Sequence, residues 1–155
     1  MKRILKLFFV FIIIFISVGC KYNQTGDYDR FYLDDTYYNK GEFISVDKTE
    51  YESIEDGSYI LFVHTNYCPF TTGISCEDVF KKFMDKYNID FLDIMINEFK
   101  DTKLHDEVSL YPTIIIVNKG KVISYLDPSS DSDFSKYQDL DSFTNWINQY
   151  IYFYK

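Results

Sequence analysis

Short apolar runs along the second two thirds of the chain predict the strands of a sheet. The runs at Tyr59–Val63 and Phe91–Ile96 are almost continuously apolar, which is typical of strands buried on both faces. Two further runs flank Asn118-Lys119-Gly120-Lys121, a strong signal for an antiparallel hairpin. Five strands are therefore predicted, at Phe43–Val46, Tyr59–Val63, Phe91–Ile96, Thr113–Val117 and Val122–Leu126.

Segments with helical spacing lie between these strands. Gly57 ends a short charged helix at Lys48–Glu55, and Ser75 is a candidate N-cap for a longer helix that runs through Tyr87. A short helix is expected at Asp101–Ser109, and a closing amphipathic helix contains Leu140, Phe143, Ile147, Tyr150 and Ile151. The resulting order, βαβαβαββα, predicts an α/β domain whose mixed sheet has helices on both faces.

The first twenty residues resemble a secretion signal. Lys2, Arg3 and Lys6 precede an apolar run that is shorter than the roughly 20 residues of a membrane-spanning helix. The run ends in Ser17-Val18-Gly19-Cys20, which resembles a bacterial lipobox except that Ser17 stands where a large aliphatic residue is preferred. We therefore expect a signal peptide at 1–19, lipid on Cys20 and an extracytoplasmic protein on the cell membrane. The alternatives are an uncleaved anchor or an ordinary signal peptide.

A polar segment separates this signal from the predicted domain. Residues 20–42 are rich in Tyr, Asp and Asn without apolar periodicity, and we expect a flexible tether there, followed by the domain at 43–155. Removal of residues 1–19 takes away three positive charges, so the formal charge moves from −8 to −11. A charge of this sign argues against a nucleic-acid partner, because phosphate binding needs a basic face.

Composition restricts the chemistry to thiols. The 15 Tyr and 15 Phe occur in a chain without alanine, which indicates a coding bias, so they carry no functional interpretation. The 3 Cys and 2 His have no metal-ligand spacing, and we expect neither a metal nor a cofactor. Because export permits disulfides, the Cys68 and Cys76 thiols become the candidates for reaction.

Two features mark a candidate site at the carboxyl end of the sheet. Cys68 follows a buried strand and precedes a helix, a position where the helix dipole favours the thiolate. Pro112 begins a predicted strand, although it has no N–H to donate to the ladder, so a positional reason is expected for it.

Together these features carry a resemblance to the thioredoxin family. The segments Leu61–Thr71, which contains Tyr67-Cys68-Pro69, and Tyr111–Val122, with Pro112 44 residues after Cys68, are similar to the family's redox motif and cis-proline hairpin. The resemblance implies a thioredoxin-like fold, Cys68 as the nucleophile, and a substrate groove formed by Tyr67, Pro69, Tyr111 and Pro112. The partners it implies are thiols or disulfides of exported proteins.

Three positions depart from the family's pattern. Thr71 replaces the second redox cysteine, so a mixed disulfide cannot be resolved within the motif. Phe62 occupies the position of the buried acid. Asp93 on the neighbouring strand is either a carboxylate near the thiol or an outward-facing strand residue.

The role of Cys76 stays open between several alternatives. If residues 68–75 form a loop, Cys68 and Cys76 can meet in a disulfide. If the helix begins near Pro69, about two turns separate the thiols, which is too far, and Cys76 is an inert buried residue. A peroxiredoxin-like role for Cys76 lacks the Thr or Ser expected at Gly73.

Two functions are compatible with these features. The first is a thiol–disulfide oxidoreductase in which Cys76 or an external thiol resolves the mixed disulfide on Cys68. The second is a redox-inactive thioredoxin-fold adaptor. His64 is expected to be structural, and His105, on a polar helix, to need no role.

Overall fold

A five-stranded mixed sheet forms the centre of the molecule. The computed structural model describes residues 29–65 and 76–154, with only the backbone of Cys76. The sheet order is β1-β3-β2-β4-β5, in which β1, β3 and β2 are parallel and β4 and β5 are antiparallel additions. The strands are β1 (Phe43–Ser45), β2 (Tyr59–His64), β3 (Phe91–Met95), β4 (Thr113–Asn118) and β5 (Lys121–Tyr125). This topology confirms the predicted thioredoxin-like α/β fold.

Helices cover both faces of the sheet. The ring of Phe62 from β2 meets Phe80 of a helix on one face, whereas Tyr59, on the opposite face of the same strand, meets Tyr51. The side chains of β2 alternate between these faces and are almost all buried. The helices are α1 (Lys48–Ile54), α2 (Cys76–Tyr87), α3 (Ile96–Phe99), α4 (Asp131–Phe134) and α5 (Leu140–Ile147).

The prediction of a helix at Asp101–Ser109 is wrong. The chain instead makes the single turn α3 directly after β3 and a 3-10 turn at Lys103–Asp106. Asp101 and Thr102 close α3 with backbone bonds to Glu98 and Phe99, which interrupts any continuous helix. The segment after β5 is rich in Asp and Ser, and it forms the short helix α4 followed by a 3-10 turn at Ser135–Tyr137.

The hairpin between β4 and β5 has the predicted two-residue turn. Lys119 and Gly120 both have positive φ, at 50° and 71°, as a type I′ turn requires. The twist of this turn matches that of the flanking strands. The hairpin prediction is therefore confirmed.

The tether prediction is wrong for residues 29–42, because this segment packs on the amino-terminal edge of the sheet. Leu33 and Tyr37 are buried, and the backbone of Phe31 bridges Ile151 near the other end of the chain. The Asp34 amide donates to the carbonyl of Ser58, the residue before β2. Isolated apolar anchors thus fix a segment that has no periodicity; residues 20–28 lie outside the described part of the chain.

Asp90 holds the end of this segment. Its side chain is 2% exposed, and its Oδ1 accepts backbone N–H groups from Lys40, Gly41 and Glu42 at 3.2, 2.7 and 2.9 Å. The chain can approach so closely because Gly41 has φ +77°; a Cβ there would lie 2.4 Å from the Met84 carbonyl oxygen. The segment therefore leads into β1 at one fixed position.

Candidate functional site

The candidate site lies where β2 and β3 end and β4 begins. In the sheet register Val63 pairs with Thr113, and His64 pairs with Met95. The residues directly after β2 and directly before β4 therefore meet at the carboxyl edge of the parallel strands. Ligands of open α/β sheets collect at this edge.

The peptide bond between Tyr111 and Pro112 is cis, as the family resemblance implies. Pro112 is buried, and the buried Tyr137 hydroxyl lies 3.1 Å from its carbonyl oxygen and 3.0 Å from that of Leu126. The Thr113 hydroxyl also donates to the Leu126 carbonyl, at 2.7 Å. The start of β4 is thus held by two hydroxyl groups, that of Tyr137 at the Pro112 carbonyl and that of Thr113 at the Leu126 carbonyl. The substrate-binding role of Tyr111 and Pro112 stays a prediction.

His105 supports the residue before this proline, so the prediction that it needs no role is wrong. The Tyr111 hydroxyl donates to the Val108 carbonyl at 2.7 Å, and it also lies 2.6 Å from His105 Nδ1. Because the hydroxyl proton is directed at Val108, Nδ1 must carry a hydrogen and donate to the tyrosine oxygen. Burial raises the pKa of Tyr111, and Phe99 packs edge-on against its ring.

His64 and Asp93 form a hydrogen-bonded pair at the same edge. Nε2 of His64 lies 3.0 Å from Oδ1 of Asp93, and the two side chains are 24% and 19% exposed. The Phe62 ring stacks on the imidazole at a centroid distance of 5.5 Å and an angle of 25°. Asp93 is therefore not an outward-facing strand residue, and His64 has a specific polar partner.

The surroundings of His64 favour its charged form. The hydrogen bond to Asp93 is the largest cause that raises the pKa of His64; burial opposes it. The charges of Asp93 and Glu77 and a hydrogen bond to the Thr65 backbone raise this pKa further. His64 thus has one carboxylate partner, Asp93, which favours its charged form, and its ring stacks on that of Phe62.

Asp93 places a carboxylate on the strand beside Phe62, the residue that stands where the resemblance expects a buried acid. The two residues are partners in the register of β2 and β3, so their side chains share the face covered by α2. Sequence reasoning missed the pair because it could weigh each residue only on its own strand. The sequence did contain one signal for the position of His64: it follows Phe62 by two residues on the same strand, so the two side chains lie on one face of the sheet.

The predicted thiol residues fall mostly outside the described part of the chain. Tyr67, Cys68, Pro69 and Thr71 lie in 66–75, and Cys20 lies in 1–28. Cys76 is the first residue of α2, without a described side chain. The reaction of Cys68, its link to Cys76 and the lipid on Cys20 therefore stay predictions. Within residues 29–65 and 76–154 there is no group of three or more His, Cys, Asp or Glu side chains placed to hold a metal.

The same described residues contain no helix that is long and apolar enough to cross a membrane.

Comparison with known proteins finds thioredoxins among solved structures. The chain is similar to the reduced thioredoxin pre-protein of Schistosoma mansoni, with 16% identity, a TM-score of 0.49 and coverage of 71% of this chain and 99% of that one. It is also similar to thioredoxin O2 of Arabidopsis thaliana in its oxidized state, with 14% identity, a TM-score of 0.48 and coverage of 69% and 92%. A thioredoxin from Aeropyrum pernix is 14% identical, with a TM-score of 0.45 and coverage of 71% and 91%.

No family model matches the chain, and no curated protein matches it. The thioredoxin-like fold is defined by the strand order and directions described above.

Proposed function

We propose that this chain is a lipid-anchored, extracytoplasmic thiol–disulfide oxidoreductase that uses Cys68 as its nucleophile. The observation that carries the proposal is the His64–Asp93 pair at the sheet edge where β4 begins after Pro112. Cys68 follows His64 by four residues in the chain, so about 14 Å is the largest separation of their α-carbons. A charged proton donor within this range suits thiol chemistry.

The proposed reaction begins with attack of the Cys68 thiolate on a substrate disulfide. One new S–S bond forms between Cys68 and a substrate sulfur, and the second substrate sulfur leaves as a thiolate, which His64 protonates. A second thiol, from Cys76 or from a small external thiol, then attacks the Cys68 sulfur. The substrate is released with both sulfurs reduced, and the disulfide that remains links Cys68 to the resolving thiol.

Trapping of the mixed disulfide tests this function. The reduced full chain is mixed with a disulfide-bonded peptide, quenched with acid and measured by mass spectrometry. We expect a peptide adduct on Cys68 that is absent in Cys68→Ser and accumulates in Cys76→Ser if Cys76 resolves it. The matched cysteine variants separate attack from resolution. A Cys68 thiol that forms no adduct would exclude the enzymatic function.

The pH dependence of that adduct tests the contribution of His64. We expect His64→Gln to slow adduct formation mainly below the raised pKa of His64, where the native side chain is charged. Above that pKa the native chain and the variant should react at similar rates. A deficit that does not change with pH would mean that His64 acts only through packing against Phe62.

The lipid anchor is tested separately. Mass spectrometry of the protein isolated from membranes should find fatty acyl chains on an N-terminal Cys20. Cys20→Ser should abolish both this modification and the flotation of the protein with vesicles. An unmodified N-terminus would remove the anchor from the proposal without affecting the thiol chemistry.

A redox-inactive adaptor is the second candidate, and Phe62 is the observation that favours it. This side chain is 3% exposed and packs against Phe43 and Phe80, so the position of the family's buried acid is filled with apolar core. An adaptor would retain an exported partner when Cys68 is replaced by Ser, whereas the oxidoreductase would lose it.

A further inference from the structure

The two ends of the described chain meet in an exposed group of aromatic side chains. Tyr32, Tyr152 and Tyr154 are 45%, 38% and 68% exposed. Tyr32 stacks on Tyr152 at a centroid distance of 4.8 Å, and Tyr154 lies edge-on to Tyr87 at 6.0 Å. We call these four residues the terminal tyrosine cluster.

Two cations lie over the rings of this cluster. The Arg30 guanidinium lies 4.3 Å from the centroid of Tyr152, and the Lys86 ammonium lies 5.1 Å from that of Tyr87. Arg30 also donates to the Ile151 carbonyl at 2.8 Å, which holds the beginning of the described segment against the end of the chain. The pair of Tyr32 and Tyr152 is therefore fixed on the surface, where it exposes apolar rings and polar hydroxyls.

The cluster lies at the edge of the sheet opposite the candidate site. Tyr87 ends α2, and the segment that carries Tyr32 bonds to Ser58 and Asp90, the residues before β2 and β3. His64 ends β2 at the opposite edge, where Pro112 precedes β4. Because β2 has six residues, roughly 20 Å separate the two edges.

We propose that the terminal tyrosine cluster lies on the lipid–water interface of the membrane to which Cys20 anchors the protein. The inference rests on the anchor in the proposed function. Nine steps between successive α-carbons separate Cys20 from Asp29, so the chain can span at most about 30 Å before it reaches the cluster. Tyrosine suits this interface because its ring enters the acyl boundary while its hydroxyl stays hydrated.

The net charge of the protein favours a zwitterionic lipid surface over an anionic one. The formal charge of −11 that remains after removal of residues 1–19 disfavours attraction to anionic headgroups, and the two cations, Arg30 and Lys86, lie on the cluster's own rings. The expected contact is therefore with a zwitterionic interface and depends on the tyrosine rings. In this orientation the carboxyl edge of the sheet faces away from the bilayer.

Tryptophan fluorescence in vesicles tests the contact. The full lipidated chain with Tyr152→Trp, or with Tyr154→Trp as a second variant, is reconstituted in phosphatidylcholine vesicles with and without brominated acyl chains. Tyr125→Trp is the matched control, because Tyr125 is 37% exposed on β5 at the site edge. The signal of the native Trp146, measured in the unsubstituted chain, is subtracted from each.

We expect brominated lipid to quench roughly half of the added fluorescence at positions 152 and 154 and little at 125. Equal quenching at all three positions, or none, in protein that floats with the vesicles would overturn the inference and leave the anchor intact. Absence of quenching together with chemical cross-linking between chains would assign the cluster to a second copy instead. Protein without lipid on Cys20 would overturn the anchor and this inference together.

Discussion

At the scale of single residues, the hydrogen-bonded pair of His64 and Asp93 is the feature of the site edge from which we expect a response to pH. Neither residue could be assigned from the sequence alone, because each occupies a strand whose partner and register are properties of the folded sheet. Strand alternation did place Phe62 and His64 on one face. Only the pairing of β2 with β3 brings Asp93 to that face as well.

Asp93→Asn should destabilise the protein at low pH more than at high pH. The hydrogen bond to Asp93 raises the pKa of His64 in the folded state above its ordinary value. Its contribution is therefore complete below the unfolded pKa of about 6.5 and is lost as the pH rises through the folded value. We expect a loss of about 1–2 kcal/mol in the free energy of unfolding at low pH and little above the folded pKa.

Urea unfolding curves across this pH range measure the difference. Glu52→Gln is the control, because Glu52 forms only an exposed ion pair with Lys48. A loss of the same size at both ends of the range would show that Asp93 stabilises the strand without regard to the charge on His64.

At the scale of elements, the segment 29–42 shows what a periodicity argument overlooks. Its apolar side chains Leu33 and Tyr37 are isolated, so no helical or strand period appears, yet both are buried. The polar end of the segment is fixed through its backbone, because the N–H groups of residues 40–42 donate to Asp90. By contrast, β2 is a continuous apolar run, α2 has a helical period and the β4–β5 hairpin has a turn signal, and their prediction was correct.

Asp90→Ala should release the end of this segment. The substitution removes the acceptor of three backbone N–H groups, and the loss should be about 3 kcal/mol in the free energy of unfolding because water replaces the carboxylate only in part. Asp85→Ala, which removes only an exposed i,i+4 ion pair, should cost less than about 0.5 kcal/mol. Equal effects in denaturant unfolding would mean that the bonds to Asp90 add nothing to stability.

Gly41→Ala should destabilise the protein more than Gly120→Ala. Both glycines have similar positive φ, at 77° and 71°, so the strain of the left-handed backbone is about 1–2 kcal/mol in each. At Gly41 the new methyl would also lie 2.4 Å from the Met84 carbonyl oxygen, compared with 3.0 Å from the Glu55 carbonyl oxygen at Gly120. The midpoint of thermal unfolding should therefore be lower for Gly41→Ala than for Gly120→Ala, because only the first adds a steric clash to the backbone strain. Equal midpoints would contradict a clash at Gly41.

At the scale of the whole molecule, the thioredoxin-like architecture was predicted correctly because the resemblance of the segments around Cys68 and Pro112 implied the fold, and a few strong signals marked its strands along the chain. The order of the strands within the sheet, β1-β3-β2-β4-β5, is seen only in the folded structure. The buried runs define β2 and β3, the turn defines the hairpin, and Tyr111-Pro112-Thr113 marks where β4 begins. The beginning of the domain did not follow, because it depends on contacts between distant parts of the chain. Phe31 bonds to Tyr150 and Tyr152, more than a hundred residues away.

A fragment that begins at residue 43 should accordingly be less stable than one that begins at residue 29. The shorter fragment loses the burial of Leu33 and Tyr37, each worth about 1.5–3 kcal/mol, and leaves the Asp90 carboxylate without its three donors. Its urea midpoint should fall, and hydrogen exchange should increase at the amides of Asp90 and Tyr152, which donate to carbonyl groups of the missing segment. The same midpoint in both fragments would mean that residues 29–42 only lie on a domain that is complete from residue 43, as the sequence pattern predicted.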